Sequence, residues 1–510
     1  MAVALAACGD TKNAGESRPT VRTTQGVVVG AEEQKVAVFR GIPFAQAPVG
    51  PLRFAAPEPV QKWDGLRPAI RFGTSPPQLT RVPVRSVTSS EWLTINVWSP
   101  DLGGQALPVL VWIYGGAFVS GSSAQPVYDG VNLAKHGVVV VTFNYRLGVE
   151  GFAQITDAPA NRGILDQLAA LRWVHENIAA FGGDPGNVTL AGQSAGASSI
   201  AVLMTLPRAR GLFRRAICQS VPARCQTVRF ASDVAMEIVA PLAAAPSVDG
   251  LSGIDPQVLV KAAVRVSSNL PRYQDRWGYR FTVGGSLFGP VIDGELLTGD
   301  PWQAMGRGLG ADIPLIVGHT RHEYRFALSR TPGAAVAISS AQTQQALCEL
   351  PPRTDGSRAY RLAYPKLTDA QLYETACSDY LYRMPSVHLA QAHSGGGGVA
   401  YLYEFCFEQS SIGAGHTAEI PLVFGTLGGP GDTLYGPSPS SAAGALSAEM
   451  QRNWISFATQ GVPDWAAYTD EAQGTQVFDT QSRVEAYPEQ RSEAIWAPAR
   501  SVPRVMDLTH

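Results

Sequence analysis

The pentapeptide Gly192-Gln193-Ser194-Ala195-Gly196 joins an apolar run, Val188 to Ala191, to a small-residue segment from Ala197 that reads as a helix. A serine on such a sharp strand-to-helix turn has its hydroxyl held clear of the backbone, and the flanking glycines leave room for the strain. This is how α/β enzymes present a nucleophile. The five-residue pattern alone arises by chance in a chain of 510 residues; its weight comes from the strand, turn and helix around it.

The surrounding segments fit that setting. Leu107 to Tyr114 and Val138 to Phe143 are apolar runs of strand length. Leu165, Leu168, Leu171, Val174 and Ile178 recur every three or four residues until Gly182-Gly183-Asp184-Pro185 stops the pattern. The order strand (107–114), strand (138–144), helix (163–181), strand (188–191), serine turn, helix (197–205) predicts a mostly parallel sheet covered by helices. Ile313 to Val317 and Val399 to Phe405 add two further strands, with Gly395 to Gly398 as the turn into the second. No window is apolar for the 18 or so residues of a membrane-spanning helix.

With 45% hydrophobic and 16% charged residues, the chain is globular rather than disordered. Net charge is −2 and no long Lys/Arg run occurs, so no nucleic-acid partner is expected. Residues 1–20 read as a possible lipoprotein signal remnant and tether, and 21–510 as one catalytic domain. Leu5-Ala6-Ala7-Cys8 resembles a bacterial lipobox, and a polar stretch from Thr11 to Thr20 follows it. Seven residues without a basic start are short for a complete signal. The expectation is export, or membrane attachment through a lipidated Cys8, with a cytoplasmic protein as the alternative if the match is accidental. Five other cysteines, an odd number, show no CxxC spacing; Cys218 and Cys406 read as buried thiols, and no metal site is expected from them.

Strand-end chemistry in this architecture places an acid and then a histidine after the serine, on loops beyond later strands. His136 and His175 precede Ser194, His510 is terminal, and His388 and His393 fall in a helical stretch. His319 and His322 crowd the acid loop. His416 remains, following a strand through Gly413-Ala414-Gly415. For the acid, Glu323 lies five residues beyond the strand ending at Gly318, whereas Asp312 sits at its wrong end. The competing reading of Glu323 is a surface charge beside Arg321 and Arg325. Tyr114-Gly115-Gly116-Ala117-Phe118 follows a strand directly, and its backbone amides, with that of Ala195, are candidate oxyanion donors at Gly116, Ala117 and Ala195.

Several segments, in order, resemble the type B carboxylesterase family, which includes bacterial p-nitrobenzyl esterases and the cholinesterases. They are Gly41-Ile-Pro-Phe-Ala45, Pro48-Val-Gly-Pro-Leu-Arg-Phe54, Asn144-Tyr-Arg-Leu-Gly148, Phe181-Gly-Gly-Asp-Pro185 and Phe213-Arg-Arg-Ala-Ile217. The resemblance runs from about Thr24 past Trp454-Ile-Ser-Phe457. It implies an α/β-hydrolase fold and a serine carboxylic ester hydrolase acting on neutral esters through an acyl-enzyme. It also implies a triad at Ser194, Glu323 and His416, an oxyanion hole at Gly116, Ala117 and Ala195, and a supporting serine at Ser220.

Departures from the family bear on substrate. No cysteine lies between Cys8 and Cys218 to close the family's N-terminal disulfide loop, Gln193 stands where many relatives have glutamate, and Val221 and Tyr324 stand where glycine is usual. In cholinesterases that loop carries an aromatic residue of the choline site, so a preference for cationic esters is not expected; aromatic residues elsewhere, Trp277 or Tyr324 for example, are left to stack on a cation. No cofactor is expected: neither HExxH nor a Walker motif occurs. The rival readings are a carbamate or amide hydrolase using the same triad, and a non-catalytic esterase-like binding module.

Overall fold

The computed structural model describes residues 18–79, 90–103, 106–329, 337–499 and 505–508. Its main sheet has eleven strands among the described residues: β1 (Ala31–Glu33), β2 (Val36–Pro43), β3 (Thr94–Ser99), β4 (Leu107–Ile113), β5 (Val139–Phe143), β6 (Gly183–Gln193), β7 (Arg215–Gln219), β8 (Leu315–Thr320), β9 (Ala400–Phe405), β10 (Gly474–Phe478) and β11 (Arg483–Ala486). They lie side by side as β11-β10-β9-β8-β7-β6-β4-β5-β3-β2-β1. The six pairings from β5 across to β10 are parallel, and antiparallel strands close both edges. Parallel strands are covered on both faces, which is why β4 and β5 read as unbroken apolar runs; every residue of Val139–Phe143 is buried.

The covering helices are α1 (Arg162–Asn177), α2 (Ala195–Leu203), α3 (Met384–Gly395) and α4 (Ser441–Gln460). Helices α1 and α2 pack on β6, α3 on β8 and β9, and α4 on β4 and β6. The sheet and its helices are the α/β-hydrolase architecture anticipated from sequence. One hydrophobic cluster extends from Val21 to Ala499. Among the described residues no helix is long and apolar enough to cross a membrane.

Boundaries moved in instructive ways. The α-helical pattern continues as a 3-10 turn, Ile178–Phe181, and ends at Gly182 with φ +82°, so the helix stops where the glycines said it would. The serine strand runs Gly183–Gln193 rather than 188–191, because Gly183 already pairs with Leu107. Helix α2 starts at Ala195, directly after Ser194. Strand β8 is shifted to Leu315–Thr320, which leaves Glu323 three residues past its end rather than five.

Candidate active site

The sheet register gathers the site at the carboxyl ends of its central strands, where open α/β sheets bind ligands. Gln193, Gln219 and Gly318 are paired neighbours on β6, β7 and β8. The Ser194 N–H donates to the Gln219 carbonyl (2.9 Å), and the Ser220 N–H to that of Gly318 (2.8 Å). Ser194 sits at φ +57°, ψ −124°, a conformation L-residues avoid. A side chain at Gly196 would fall on the Ile113 carbonyl oxygen, so the strained turn is wedged against β4 and only glycine fits. Five of the thirteen non-glycine residues with positive φ among those described (Ala117, Phe118, Ser194, Ser220 and Thr417) gather at these strand ends. Strain is thus concentrated where the site is built.

Glu323 is 1% exposed and is not a surface charge. Its supposed companions are engaged elsewhere, Arg321 with Glu404 and Arg325 with Glu408. Glu323 Oε1 accepts the Thr320 N–H at 2.8 Å and Oε2 lies 2.5 Å from His416 Nδ1. A backbone bond from the His322 N–H to the Ala414 carbonyl (2.9 Å) ties the acid loop to the histidine loop and sets this contact. Burial pushes the Glu323 carboxyl up, but the charge and hydrogen bond of His416, with Ser220 and Thr320, outweigh it and hold it below the usual carboxylate range. The buried Ser220 hydroxyl is near enough to favour the carboxylate without completing a well-formed hydrogen bond.

Beyond β4 the loop packs tightly on the serine: a Cβ at Gly115 would stand 3.0 Å from Ser194 Cβ. Gly116, Ala117 and Phe118 follow with φ of +117°, +56° and +61°. No acceptor among the described residues takes the N–H of Gly116, Ala117 or Ala195. Three unengaged donors beside a strained serine suit an oxygen that gains negative charge.

Residues 17–496 match the carboxylesterase family. The chain belongs to that family. It is 35% identical over 500 residues to the para-nitrobenzyl esterase of Bacillus subtilis (strain 168), covering 94% of this chain and 99% of that one. It is 35% identical over 469 residues to the fumonisin B1 esterase of Sphingopyxis macrogoltabida, covering 87% and 82%. A crystal structure of a Geobacillus stearothermophilus carboxylesterase at pH 6.2 superposes with a TM-score of 0.83 at 36% identity, covering 94% of this chain and all of that one. As a carboxylesterase, the protein is a carboxylic ester hydrolase of α/β-hydrolase fold.

Three further side chains surround His416 or its loop, of which only Gln193 is marked in sequence, as a departure from the family. Gln193 places its side-chain amide nitrogen 2.9 Å from His416 Nε2, so in this structure the histidine's outer nitrogen faces Gln193 rather than the Ser194 hydroxyl. Tyr382 lies in a π-helical turn, Asp379–Arg383, that continues into α3; its ring centroid is 4.2 Å from that of His416. Such turns are frequent at functional sites, yet nothing in the sequence marks one. Burial and the Glu323 charge push the Tyr382 phenol up to about 12, against the pull of Arg224 and of the Ser194 hydroxyl beside it. Glu419, three residues after His416, is fully buried; Oε1 accepts from Gln219 (3.1 Å) and Oε2 has no partner among the described residues. Burial, then the nearby Glu323 charge, raises it to about 7. The other sequence candidates lie outside the site: His388 and His393 are buried in α3, and His322 pairs with Glu374 and Glu408. Cys218 and Cys406 are buried free thiols, and no described cysteine forms a disulfide. Cys8 lies outside the described residues.

Proposed function

We propose that Ser194, His416 and Glu323 hydrolyse carboxylic esters by two-step acyl transfer. The observation that carries this is the buried Glu323–His416 contact at 2.5 Å, set beside a strained serine and three unengaged backbone donors. The carboxylate fixes Nδ1 as the protonated nitrogen and leaves Nε2 with its lone pair, held meanwhile by the Gln193 amide. On substrate binding the ring exchanges Gln193 for Ser194. Nε2 takes the hydroxyl proton as Oγ attacks the ester carbonyl, and the amides of Gly116, Ala117 and Ala195 receive the oxyanion. The alcohol leaves with the proton from His416, and water repeats the sequence on the acyl-enzyme. Ser220 supports the Glu323 carboxylate.

Residues 21–510 form one catalytic domain in this reading, which rests on the one hydrophobic cluster that spans Val21 to Ala499 among the described residues. The Leu5-Ala6-Ala7-Cys8 segment supports export with a lipid on Cys8; recovery of the enzyme only in the cytosol of its native host would refute it. For the chemistry, the test is a fluorophosphonate followed by peptide mapping. Inhibition of p-nitrophenyl butyrate turnover with one adduct, on Ser194, is expected. An adduct on another serine, or full inhibition without one on Ser194, defeats the assignment.

A further inference from the structure

Past Ser220 the chain turns through Val221 to Arg224, whose side chain is 9% exposed. Its Nη2 donates to the carbonyls of Phe281 (3.3 Å) and Ser286 (3.4 Å), and the guanidinium carbon stands 5.5 Å from the Phe281 ring centre. Those two long hydrogen bonds are its only ones among the described residues, both on one nitrogen, and no described carboxylate stands within ion-pair distance. Burial holds the guanidinium below its ordinary value, and the groups that oppose this are Tyr380 and Tyr382, not an acid.

Two links join Arg224 to the reacting centre. On one side the Ser286 hydroxyl donates to the Ala117 carbonyl at 2.7 Å, so the segment that Arg224 holds also holds the loop of candidate oxyanion donors. On the other, the Arg224 charge acts on Tyr382, whose ring lies tilted against that of His416 at 4.2 Å and whose phenol neighbours the Ser194 hydroxyl. A buried charge without a counter-ion is costly, and free N–H groups on a planar fork match the two oxygens of a carboxylate. A lysine or a neutral donor would not match both.

We propose that Arg224 recognises a carboxylate on the substrate, so that the enzyme accepts esters carrying an anionic carboxylate a few bonds from the reacting carbonyl. The inference rests on ester hydrolysis at Ser194 and names the charge accepted there. A carboxylate brought by the ligand supplies the counter-ion that the fold omits. It sits on the acyl side or the alcohol side of the ester, and the experiment has an arm for each.

The full-length protein is assayed for kcat/KM on mono-p-nitrophenyl glutarate against p-nitrophenyl pentanoate, and on 4-acetoxybenzoate against phenyl acetate. In one arm the ratio of anionic to neutral ester is expected to fall at least tenfold in Arg224→Met and to recover in part in Arg224→Lys. A fall of less than tenfold in both arms overturns the proposal. Should Arg224→Met fail to fold, the wild-type ratio decides: one or more in either arm supports the assignment, less than one in both overturns it. A wild type that turns over none of the four esters defeats the hydrolase reading itself, whereas turnover with an unresponsive ratio defeats only the role of Arg224.

Discussion

Arg146 and Arg224 are both buried guanidinium groups, and the fold treats them in opposite ways. Arg146 meets Asp166 through two hydrogen bonds of 2.7 and 2.8 Å, gives a third to the Ala55 carbonyl, and its own backbone N–H also donates to Asp166. Neighbouring Arg162 spends its donors on four carbonyls, those of Glu150, Pro159, Val149 and Ala153. Around Arg224 the donors meet two distant carbonyls and no acid. The first region, where α1 packs under the sheet, is closed: the Arg146, Arg162 and Asp166 side chains are matched within the chain, and their role is to hold the scaffold. The second, at the strand ends, keeps unengaged donors on Arg224, Gly116, Ala117 and Ala195, the groups that the proposed carboxylate site and oxyanion hole would use.

The sharpest way to break this contrast is to remove one group from each region. Ser194→Ala is expected to lower ester turnover by about four to six orders of magnitude, while the melting temperature stays within ~2 °C, since one oxygen is lost from a small site. Activity at a tenth of wild type would move the nucleophile elsewhere. Asp166→Ala should do the reverse. It leaves the fully buried Arg146 without its partner, a loss of about 3–5 kcal/mol in urea unfolding, with kcat per folded molecule unchanged. Wild-type stability in that variant would show that the closed region is not the scaffold.

Glu419 tests the contrast by pH. Its native pKa, about 7, stands above the ordinary 4.5. Between these values the native state keeps a proton that the unfolded chain has released, so stability falls as pH rises through that window and stays lower above it. Replacing the carboxyl with a neutral amide removes that slope. Glu419→Gln is therefore expected to match wild type near pH 4.5 and to exceed it by about 3 kcal/mol at pH 8, read as denaturant unfolding at both values. Glu323 runs the other way: its depressed pKa stabilises the fold above the ordinary carboxylate value, and that gain is lost as pH falls through the native one. A Glu419→Gln variant less stable than wild type at pH 8 would show that the carboxyl is held charged by a partner.

How much of this was readable beforehand follows the same division. Ser194, Glu323 and His416 each sit on a pattern that local physics imposes: a strand, a turn and a residue whose place in chain order is fixed by sheet topology. The central strands announced themselves because burial on both faces demands unbroken apolar runs, as in Val139–Phe143. Strand ends depart from the sequence pattern where pairing with a distant partner, such as Gly183 with Leu107, extends the ladder beyond what propensity suggests. Tyr382 and Arg224 could not be read at all. Their role depends on contacts between segments far apart in sequence, from a π-helical turn to His416 and from a loop after β7 to the 281–286 segment. Gln193 stood out in sequence only as a departure from the family; its approach to His416 Nε2 is a matter of rotamer.

The smallest effect concerns cations. Trp277 is 2% exposed, donates its indole N–H to Asp233 at 2.7 Å and stacks on Tyr273 at 4.3 Å, so its face is covered and not offered to a ligand. Tyr324 is half-buried and edge-on to Tyr373, and Tyr382 has the His416 ring tilted against it at 4.2 Å. At the site Gln193 brings no charge, and Arg224, linked to it through Tyr382 and Ser286, brings a positive one, which repels an ammonium group. Acetylcholine should therefore be hydrolysed no faster than its uncharged isostere, 3,3-dimethylbutyl acetate, when kcat/KM values are compared at one ionic strength. Arg224→Met should raise the relative rate of the choline ester, because the repulsion goes while the acyl group is unchanged. If instead the wild type favours acetylcholine by more than about tenfold, roughly 1.4 kcal/mol of transition-state binding, an aromatic or acidic group must face the cation, and the open region would be selecting positive rather than negative charge.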